Sequence, residues 1–476
     1  MRELVERALN VAQVRGATYA DIRLEERRIE SLSVKSGAVE TLVTEEEQGF
    51  GVRVIADGAW GFASGSVVAG EEVDRIAAMA VSIARASAIA KREDVRLGQP
   101  IVSRGSYRTP FQIDPFSISL EDKIDLLMAA DAAMRKAAPI AVAEGSLEWS
   151  RVRKTFASTE GSFVEQELVE TGGGIVAIAV GDGDVEQRSW PNSFGRHQGT
   201  GGWEIVTAMD LVGNAPRMAE EAVALLTAPR CPSEATTVII DPTQMALQVH
   251  ESCGHAVELD RVLGMEAAYA GTSFLTPDKR GMRYGSEHVN IVADSTVPLG
   301  LGTYGWDDEG VPASHTPLVT RGEFVGYLSS RETAARFDFP SNGTARAESW
   351  RHLPIIRMTN INLMPGDWKL EDLIAATDRG IYLETNRSWS IDDRRLNFQF
   401  GTEIAWEIVN GKRGRMLKHP TYAGITPEFW GSCDAVCREW AMWGTTNCGK
   451  GQPSQTMHVG HGTAAARFRN VRVGIA

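Results

Sequence analysis

Residues 242–260 read PTQMALQVHESCGHAVELD, and they place two imidazoles and a carboxylate within six residues, at His250, Glu251 and His255. The opening proline, preceded by an aspartate, is typical of a helix start, with aspartate as the N-cap and proline at the first helical position. Most of the residues around the histidines are apolar enough to be buried. The stretch therefore predicts a buried helix that carries both histidines.

The spacing of the two histidines differs from that of the H-E-x-x-H motif of zinc peptidases, in which both imidazoles face the same way and the glutamate acts as general base. Here the step between them is five residues. A regular α-helix, at about 100° per residue, would turn the second imidazole about 140° away from the first. A π-bulge or a helix break at Gly254 would remove this mismatch. We therefore expect an irregular turn over residues 252–255, with its strain held by a metal.

Two imidazoles leave a catalytic zinc one protein ligand short, because such sites generally use three ligands and keep a fourth position for water. The acidic residues Glu258 and Asp260, the other histidines and the cysteines are all candidates for the third ligand. Cys448 lies in TTNCGKGQP, which is rich in glycine and lacks a helical period, so we expect a loop to present its thiol. A lone cysteine is otherwise a small buried apolar residue.

Glu251 directly follows the first histidine, so its carboxylate should reach a water at the metal without binding the metal itself. In that place Glu251 would act as general base, taking the proton of the water and returning it to the leaving amine. Glu258 and Asp260 could accept hydrogen bonds from the imidazole N–H groups and so fix the orientation of the rings. They could equally neutralise Arg261, or pair with the basic segment at residues 279–280.

The segment HESCGHAVELD resembles the H-E-x-x-G-H-x-x-E-x-D signature of the TldD family of zinc metalloproteases, the TldD/PmbA group. Further segments between about Gly16 and Gly474 resemble that family in the same order: YADIRLEERRIESLSVKSGAVE, GFGVRVIADGAWGFASG, WDDEGVP, LSSRETA, IIRMTNINLMPGD and TNCGKGQP. The resemblance implies a Zn²⁺ ion held by His250, His255 and Cys448. It also implies unfolded or extended peptides as substrates, and a dimer of this chain with itself or with a metal-free PmbA/TldE-like paralogue.

Three other interpretations remain open. Cys433 and Cys437 could form a structural zinc site with Cys448, although SCDAVCREWAMW is typical of a helix with core aromatics and no fourth ligand is obvious. Cys448 could instead be the nucleophile of a thiol enzyme, although no histidine stands at a diagnostic spacing from it. The chain could also be a non-catalytic partner subunit or a peptide-binding module, as PmbA/TldE members are, but those members lack the metal motif that is intact here.

Two further features could contribute to a site. His458 and His461 follow shortly after the last cysteine and could each act as an oxyanion donor or a spare metal ligand, although a structural histidine is the commoner case. The acidic segment at residues 306–310, WDDEG, lacks the alternating oxygen spacing of a calcium loop, and we interpret it as a structural loop or a substrate rim.

The length of 476 residues is too great for one hydrophobic core and predicts two or three domains. We expect an N-terminal α+β region at residues 1–230, which could comprise two α/β-sandwich-like units at about residues 1–97 and 116–230. Residues 231–476 should form a large, mostly antiparallel, β-rich domain that carries the metal-binding helix. The predicted fold class is α+β.

Several elements can be placed from local patterns. The Asp57-Gly58 pair between two apolar segments predicts a hairpin. Residues 203–226 predict one long helix, interrupted near residues 213–216. Short strands are predicted at residues 19–24, 29–35, 40–44 and 51–55.

The formal charge of -13 comes from 62 acidic and 49 basic residues, and the basic residues are scattered along the chain. Nucleic acids and anionic membranes need a concentrated positive patch, so the composition argues against both as partners. The sequence has no signal-peptide pattern and no apolar run of about 18 residues. Five cysteines are an odd set that fits a reducing compartment. We therefore expect a cytoplasmic protein.

Overall fold

A computed structural model describes residues 1–181 and 183–474. Its helices are α1 (Arg2–Val14), α2 (Gly70–Ala88), α3 (Leu120–Met134), α4 (Glu204–Met209), α5 (Leu211–Thr227), α6 (Pro242–Val249), α7 (Leu259–Val262), α8 (Ala267–Ala270), α9 (Arg331–Ala335), α10 (Leu370–Ala375) and α11 (Thr426–Gly431), with short 3₁₀ and π segments besides. Its strands are β1 (Tyr19–Lys35), β2 (Ala38–Ala56), β3 (Ala59–Gly65), β4 (Arg104–Arg108), β5 (Ile140–Ser158), β6 (Phe163–Gly181), β7 (Asp184–Trp190), β8 (His197–Thr200), β9 (Glu234–Ile240), β10 (Ile291–Asp294), β11 (His315–Thr320), β12 (Glu323–Phe324), β13 (Ala345–Arg346), β14 (Ile355–Ile356), β15 (Ile361–Leu363), β16 (Arg379–Ile391), β17 (Asn397–Val409), β18 (Lys412–Leu417), β19 (Thr421–Ile425), β20 (Cys433–Lys450) and β21 (Gln455–Val473). Strands pair mostly antiparallel and helices pack on them, so the fold is α+β, as predicted.

The first sheet has the strand order β3-β2-β1-β5-β6-β4, with β7 and β8 also paired to β6. Its strands are longer than predicted, because the four short strands expected before residue 56 are in fact two continuous ones, β1 and β2. The polar residues that suggested loops, such as those at 25–28, keep their backbone groups paired with β2 on one side and β5 on the other. Polarity of the side chains therefore does not interrupt the strands here.

Two apolar cores lie against this sheet. Helices α1 and α2 cover β1 to β3, and helices α3 and α5 cover β5 to β7. The predicted hairpin at Asp57-Gly58 is confirmed between β2 and β3, and both of its residues have positive φ. At Gly61 on β3 a Cβ atom would lie 2.1 Å from the carbonyl oxygen of Ala80, so only glycine allows α2 to pack this closely.

The helix expected over residues 203–226 is interrupted, but the position given for the interruption was wrong. The break falls at Asp210, which has a φ of 43° and separates α4 from α5. Its carboxylate accepts a hydrogen bond from the N–H of Gly213 at 3.1 Å and so caps the new helix. Pro216 lies inside α5, where its ring does not end the helix.

The C-terminal sheet closes on itself. Its strands follow the order β16-β9-β21-β19-β17, and β17 pairs back to β16. Strand β18 extends this sheet from β17, and β20 pairs with β21. A large apolar core fills the region around α6 and these strands.

Two local predictions in this region were wrong. The segment SCDAVCREWAMW is not a helix, because all of it after Ser432 is the first part of strand β20. Cys448 lies near the end of the same strand and not in a loop. Strand β20 pairs with β21 through three irregularities, one of them between Thr445 and Cys448. These bulges break the two-residue alternation of β20, which is why the sequence does not show a strand pattern.

The acidic segment at residues 306–310 joins the first sheet to the rest of the chain. Asp307 accepts hydrogen bonds from backbone N–H groups of its own loop. Asp308 lies 3.1 Å from Lys154 of β5, and Glu309 lies 3.0 Å from Arg53 of β2. The carboxylates are thus occupied by protein partners, which fits a structural loop. Among the helices of residues 1–181 and 183–474, none combines the length and the apolar character needed to cross a membrane.

Candidate metal centre

Helix α6 continues beyond Val249 as a π-helical turn at His250–Gly254. The backbone N–H of His255 donates to the carbonyl oxygen of His250 at 3.2 Å, five residues back. At Gly254 a Cβ atom would lie 2.2 Å from the sulfur of Met358, so a larger residue would displace that side chain. The irregular turn predicted from the five-residue spacing is confirmed. It brings the two imidazole rings to a centroid distance of 4.9 Å.

Strand β20 brings Cys448 to the two histidines. One ligand atom from each of His250, His255 and Cys448 lies within 4.8 Å of the others, and all three residues are buried. The Nε2 atom of His255 is 3.7 Å from Sγ of Cys448. Tetrahedral zinc with bonds of about 2.05 Å to nitrogen and about 2.3 Å to sulfur sets a nitrogen–sulfur distance of about 3.6 Å. The distance between His255 and Cys448 therefore fits a zinc ion, and the donor atom of His250 lies within 4.8 Å of both.

The outer nitrogen of each imidazole is held by a partner. Nδ1 of His250 is hydrogen-bonded to Nε2 of His461 at 3.0 Å. Nδ1 of His255 donates to Oε2 of Glu258 at 2.8 Å. These contacts leave Nε2 of each ring to face the centre, and they fix the orientation that a metal ligand needs.

A buried charge network lies behind Glu258. The ammonium of Lys450 is 3.3 Å from Oε1 of Glu258 and 2.7 Å from Oδ1 of Asp260, and its side chain is fully buried. Arg261 also approaches Glu258, at 3.9 Å. Asp260 therefore contacts Lys450 and not an imidazole, while Lys279 pairs with the exposed Asp278 and takes no part in this network.

Glu251 faces the same cavity as the three donors. The cavity measures about 290 Å³ and is lined by α6, the π-turn, β20, the end of β16 and the segment around Phe194. Oε2 of Glu251 accepts a hydrogen bond from Nη1 of Arg395 at 2.5 Å. Arg395 lies in the turn between β16 and β17, and its guanidinium fixes the direction of the carboxylate.

The electrostatics of the cluster favour a thiolate. Burial raises the pKa of the Cys448 thiol, but interaction with the imidazoles of His255 and His250 and with the guanidinium of Arg357 outweighs burial and leaves this pKa well below its usual value. Burial lowers the pKa of His255 well below its ordinary value, despite the neighbouring thiolate. For His250 the negative charge of the neighbouring thiolate raises the pKa by more than burial lowers it, so the pKa is raised. One negative sulfur beside two imidazoles is a donor set that attracts a divalent cation.

Among the described residues, the other cysteines do not join this group of donors. Burial raises the pKa of Cys433 and of Cys437 to about 12, and both side chains belong to the apolar core. Cys253 lies inside the motif, and burial likewise raises its pKa to about 12. In the part of the chain that the structure describes, neither Cys433 nor Cys437 belongs to a group able to hold a metal.

A second group of potential ligands comprises Asp184, Glu186 and His419. Lys418 lies 2.7 Å from Asp184, and Arg387 lies 2.7 Å from Glu186. Two cations thus already balance the two carboxylates, which suits an ion-pair cluster between strands better than a metal centre. The cluster with Cys448 is accordingly the candidate metal centre.

The chain matches three family models over most of its length. The PmbA/TldA metallopeptidase domain 1 matches residues 20–84, the central domain matches residues 113–228, and the C-terminal domain matches residues 233–474. The chain belongs to the PmbA/TldD metallopeptidase family. The candidate centre lies within the part matched by the C-terminal domain.

Named relatives agree with this assignment. A metalloprotease of Methanocaldococcus jannaschii is 30% identical over 98% of this chain and 98% of its own length. A zinc metalloprotease TldD homologue of Saccharolobus solfataricus is 26% identical over 50% of this chain and 51% of its own length. The crystal structure of TldE from Thermococcus kodakarensis has a TM-score of 0.75 at 18% identity, and the match covers 99% of this chain and 100% of that one, which shows a shared fold.

In this PmbA/TldD chain, three residues at the centre had little or no signal in the sequence. His461 was expected as an oxyanion donor, a spare ligand or, more commonly, a structural histidine, and its contact with the candidate metal ligand His250 was not foreseen. Arg395 stands in the polar turn IDDRRLN, where nothing distinguishes it from its neighbours. Lys450 is two residues beyond Cys448, and its place in the CGKG segment is the one local hint that it is not an ordinary surface lysine. The remaining expected histidine, His458, contacts Glu170 at 2.6 Å.

Proposed function

We propose that this protein is a zinc-dependent peptidase that hydrolyses unfolded or extended peptides. The observation that carries the proposal is the convergence of His250, His255 and Cys448 on one cavity that also contains the carboxylate of Glu251. Membership of a metallopeptidase family supports the same reaction. A site with three protein donors and one open side is typical of catalytic zinc, whereas structural zinc sites are closed by four.

His250, His255 and Cys448 would hold the metal. A bound Zn²⁺ ion supplies Lewis acidity, which makes a water molecule acidic enough to lose a proton near neutral pH. Glu251 takes that proton as general base and carries it to the nitrogen of the leaving amine. Arg395 keeps the Glu251 carboxylate aimed into the cavity through the 2.5 Å contact. A thiolate ligand donates more charge than a carboxylate, so we expect catalysis to depend strongly on this base.

Extended peptides suit the walls of the cavity. Strand β20 and the end of β16 contribute backbone and polar side chains to its lining. A peptide in extended conformation can bind such walls through main-chain hydrogen bonds, which gives affinity with little sequence selectivity. The same segment inside a folded domain has its main chain already paired and is spared.

A dimer is the second part of the proposal, either of this chain with itself or with a TldE-like paralogue. Residues 38–49 of β2 pair with β1 alone among the described residues, because β3 begins its pairing only at Phe50. Val39, Leu42 and Val43 on this stretch are exposed. An unpaired strand edge with exposed apolar side chains favours association with another chain. Light scattering that shows an active monomer would contradict this part.

Metal analysis tests the proposal directly. Purified protein should contain about one zinc per chain, and His250→Ala or His255→Ala should lose it, while Cys448→Ser should bind it more weakly. Removal of zinc by a chelator should abolish peptide hydrolysis, and added zinc should restore it.

The same experiment tests a thiol peptidase, which the 3.7 Å contact between Cys448 and His255 makes the second candidate. Hydrolysis that persists in the zinc-free protein, and that is lost on alkylation of Cys448, would replace the zinc mechanism with that one. Full zinc in the Cys448→Ser protein would remove this residue from the ligand set.

A further inference from the structure

Three polar side chains beside the metal centre have hydrogen-bonding groups that the protein does not satisfy. Asn386 is 4% exposed, and its Oδ1 makes no hydrogen bond to any described residue. Nε of Arg395 is buried and likewise has no partner in residues 1–181 and 183–474. Arg196 is exposed, and no described residue pairs with its side chain. All three residues line the cavity that contains Glu251.

Buried polar groups in folded proteins are hydrogen-bonded in the great majority of cases, so Oδ1 of Asn386 and Nε of Arg395 are exceptions that a ligand could satisfy, while the exposed Arg196 is free to pair with a ligand. Asn386 offers an acceptor, and the two arginines offer donors with positive charge. A ligand that pairs with all three carries both an N–H group and an anionic acceptor. The last residue of a peptide has both, in its main-chain N–H and its terminal carboxylate.

The charges of the cavity distinguish the two ends of a peptide. Glu251 is the one carboxylate in its described lining, and the contact with Arg395 already compensates that charge. Arg196 is left as a positive charge without a partner, and a divalent metal would add to it. A terminal carboxylate is attracted here, whereas a terminal ammonium would meet charge of its own sign. An interior peptide segment would leave Arg196 without a counter-charge.

The size and the apolar part of the cavity agree with a chain end. A volume of about 290 Å³ leaves room for at least one amino-acid residue. Trp389 and Phe194 line the same cavity, and both are more than one-third exposed. They offer an apolar surface for the side chain of the last residue.

We propose that the cavity binds the C-terminal residue of a peptide. Arg196 and Arg395 bind its carboxylate, and Oδ1 of Asn386 accepts a hydrogen bond from its main-chain N–H. The enzyme then removes residues from the C-terminus. The inference rests on the proposed peptidase function. Water adds its oxygen to the last peptide carbonyl carbon, the C–N bond breaks, and a proton of the water passes to the nitrogen of the released amino acid. The shortened peptide ends in a new carboxylate, which can bind in the same place for the next cycle.

The test compares N-acetyl-Ala-Ala-Ala-Leu as the free acid with its C-terminal amide, using the zinc-loaded protein. The acetyl group removes the N-terminal charge from both peptides, so they differ only at the C-terminus. We expect kcat/KM for the acid to exceed that for the amide by at least about tenfold, since hydrogen bonds to a charged group are the stronger kind. Mass spectrometry should show loss of leucine first.

Arg196→Gln keeps a polar side chain but removes the charge, and it should bring the acid-to-amide ratio close to one, mainly through a higher KM for the acid. Arg472→Gln is the matched control, because Arg472 is exposed and lies on β21 outside this cavity. Its acid-to-amide ratio should equal that of the unmodified protein.

Binding separates this inference from the peptidase proposal. Calorimetry on the zinc-loaded Glu251→Gln protein should show tighter binding of the acid than of the amide, whether or not hydrolysis is observed. Equal binding, equal hydrolysis of the two peptides, or first cuts at interior bonds would each overturn the C-terminal site. Hydrolysis of neither peptide, together with tighter binding of the acid, would overturn the peptidase function and support the site.

Discussion

Replacing His461 by alanine should weaken metal binding, although His461 is not among the three proposed ligands. His461 is fully buried, and its Nε2 lies 3.0 Å from Nδ1 of His250. Its removal leaves the outer nitrogen of a buried imidazole without a partner, which costs about 1–3 kcal/mol. At 1.4 kcal/mol per factor of ten, this corresponds to a zinc Kd higher by roughly 5- to 150-fold. Loss of an outer partner of a metal-binding histidine typically weakens metal affinity by about 10- to 100-fold, which falls within that range.

The assay is a competition titration of zinc against a chromophoric chelator at fixed pH. His458→Ala is the control, because His458 lies on the same strand but contacts Glu170. The control should bind zinc as tightly as the unmodified protein, and both variants should keep the circular dichroism of the folded chain. Unchanged zinc affinity in a folded His461→Ala protein, or an equal loss in His458→Ala, would refute the positioning role.

Three further outcomes are expected. Lys450→Met removes the buried cation that contacts both Glu258 and Asp260, so urea unfolding of the zinc-free protein should show a loss of about 3–5 kcal/mol in the free energy of unfolding. The exposed Lys279→Met is the control and should change it by no more than about 0.5 kcal/mol. A loss as small as that of the control would contradict the buried network. Burial lowers the pKa of His197 to about 4, so between pH 6.5 and pH 4 the unfolded chain binds a proton at this residue that the folded chain does not. The stability of the folded protein should therefore fall as the pH falls through this window, and it should fall less steeply in His197→Asn. Identical pH profiles of the two proteins in thermal melting would contradict this prediction. The double variant Cys433→Ser, Cys437→Ser should keep about one zinc per chain. Loss of zinc from this variant would instead support a structural zinc site at these cysteines.

The metal-bearing turn could be predicted because its cause is local. The five-residue step between His250 and His255 does not fit a regular α-helix, and Gly254 is a residue whose backbone freedom suggests an irregular turn there. Both facts are visible in a stretch of six residues. The predicted turn and the observed π-helical turn therefore agree.

The partners of this turn could not be predicted, because they come from distant parts of the chain. His461 follows His250 by 211 residues, and Arg395 follows Glu251 by 144 residues. Their positions depend on how the closed C-terminal sheet brings β21 and the β16–β17 turn to α6. Cys448 was assigned to a loop because the segment around it is rich in glycine, which is uncommon in strands. The bulges of β20 also remove the alternation of buried and exposed residues by which a strand is recognised in a sequence.

The central claim is that Glu251 performs proton transfer beside a zinc ion held by His250, His255 and Cys448. Glu251→Gln keeps the shape and an acceptor oxygen for Arg395 but cannot take a proton. The measurement is the turnover of an unfolded peptide by this variant, with zinc content and peptide affinity determined on the same preparation. The account predicts one zinc per chain, near-normal peptide binding and a kcat lower by at least about a hundredfold. Near-normal turnover at full zinc content would contradict it.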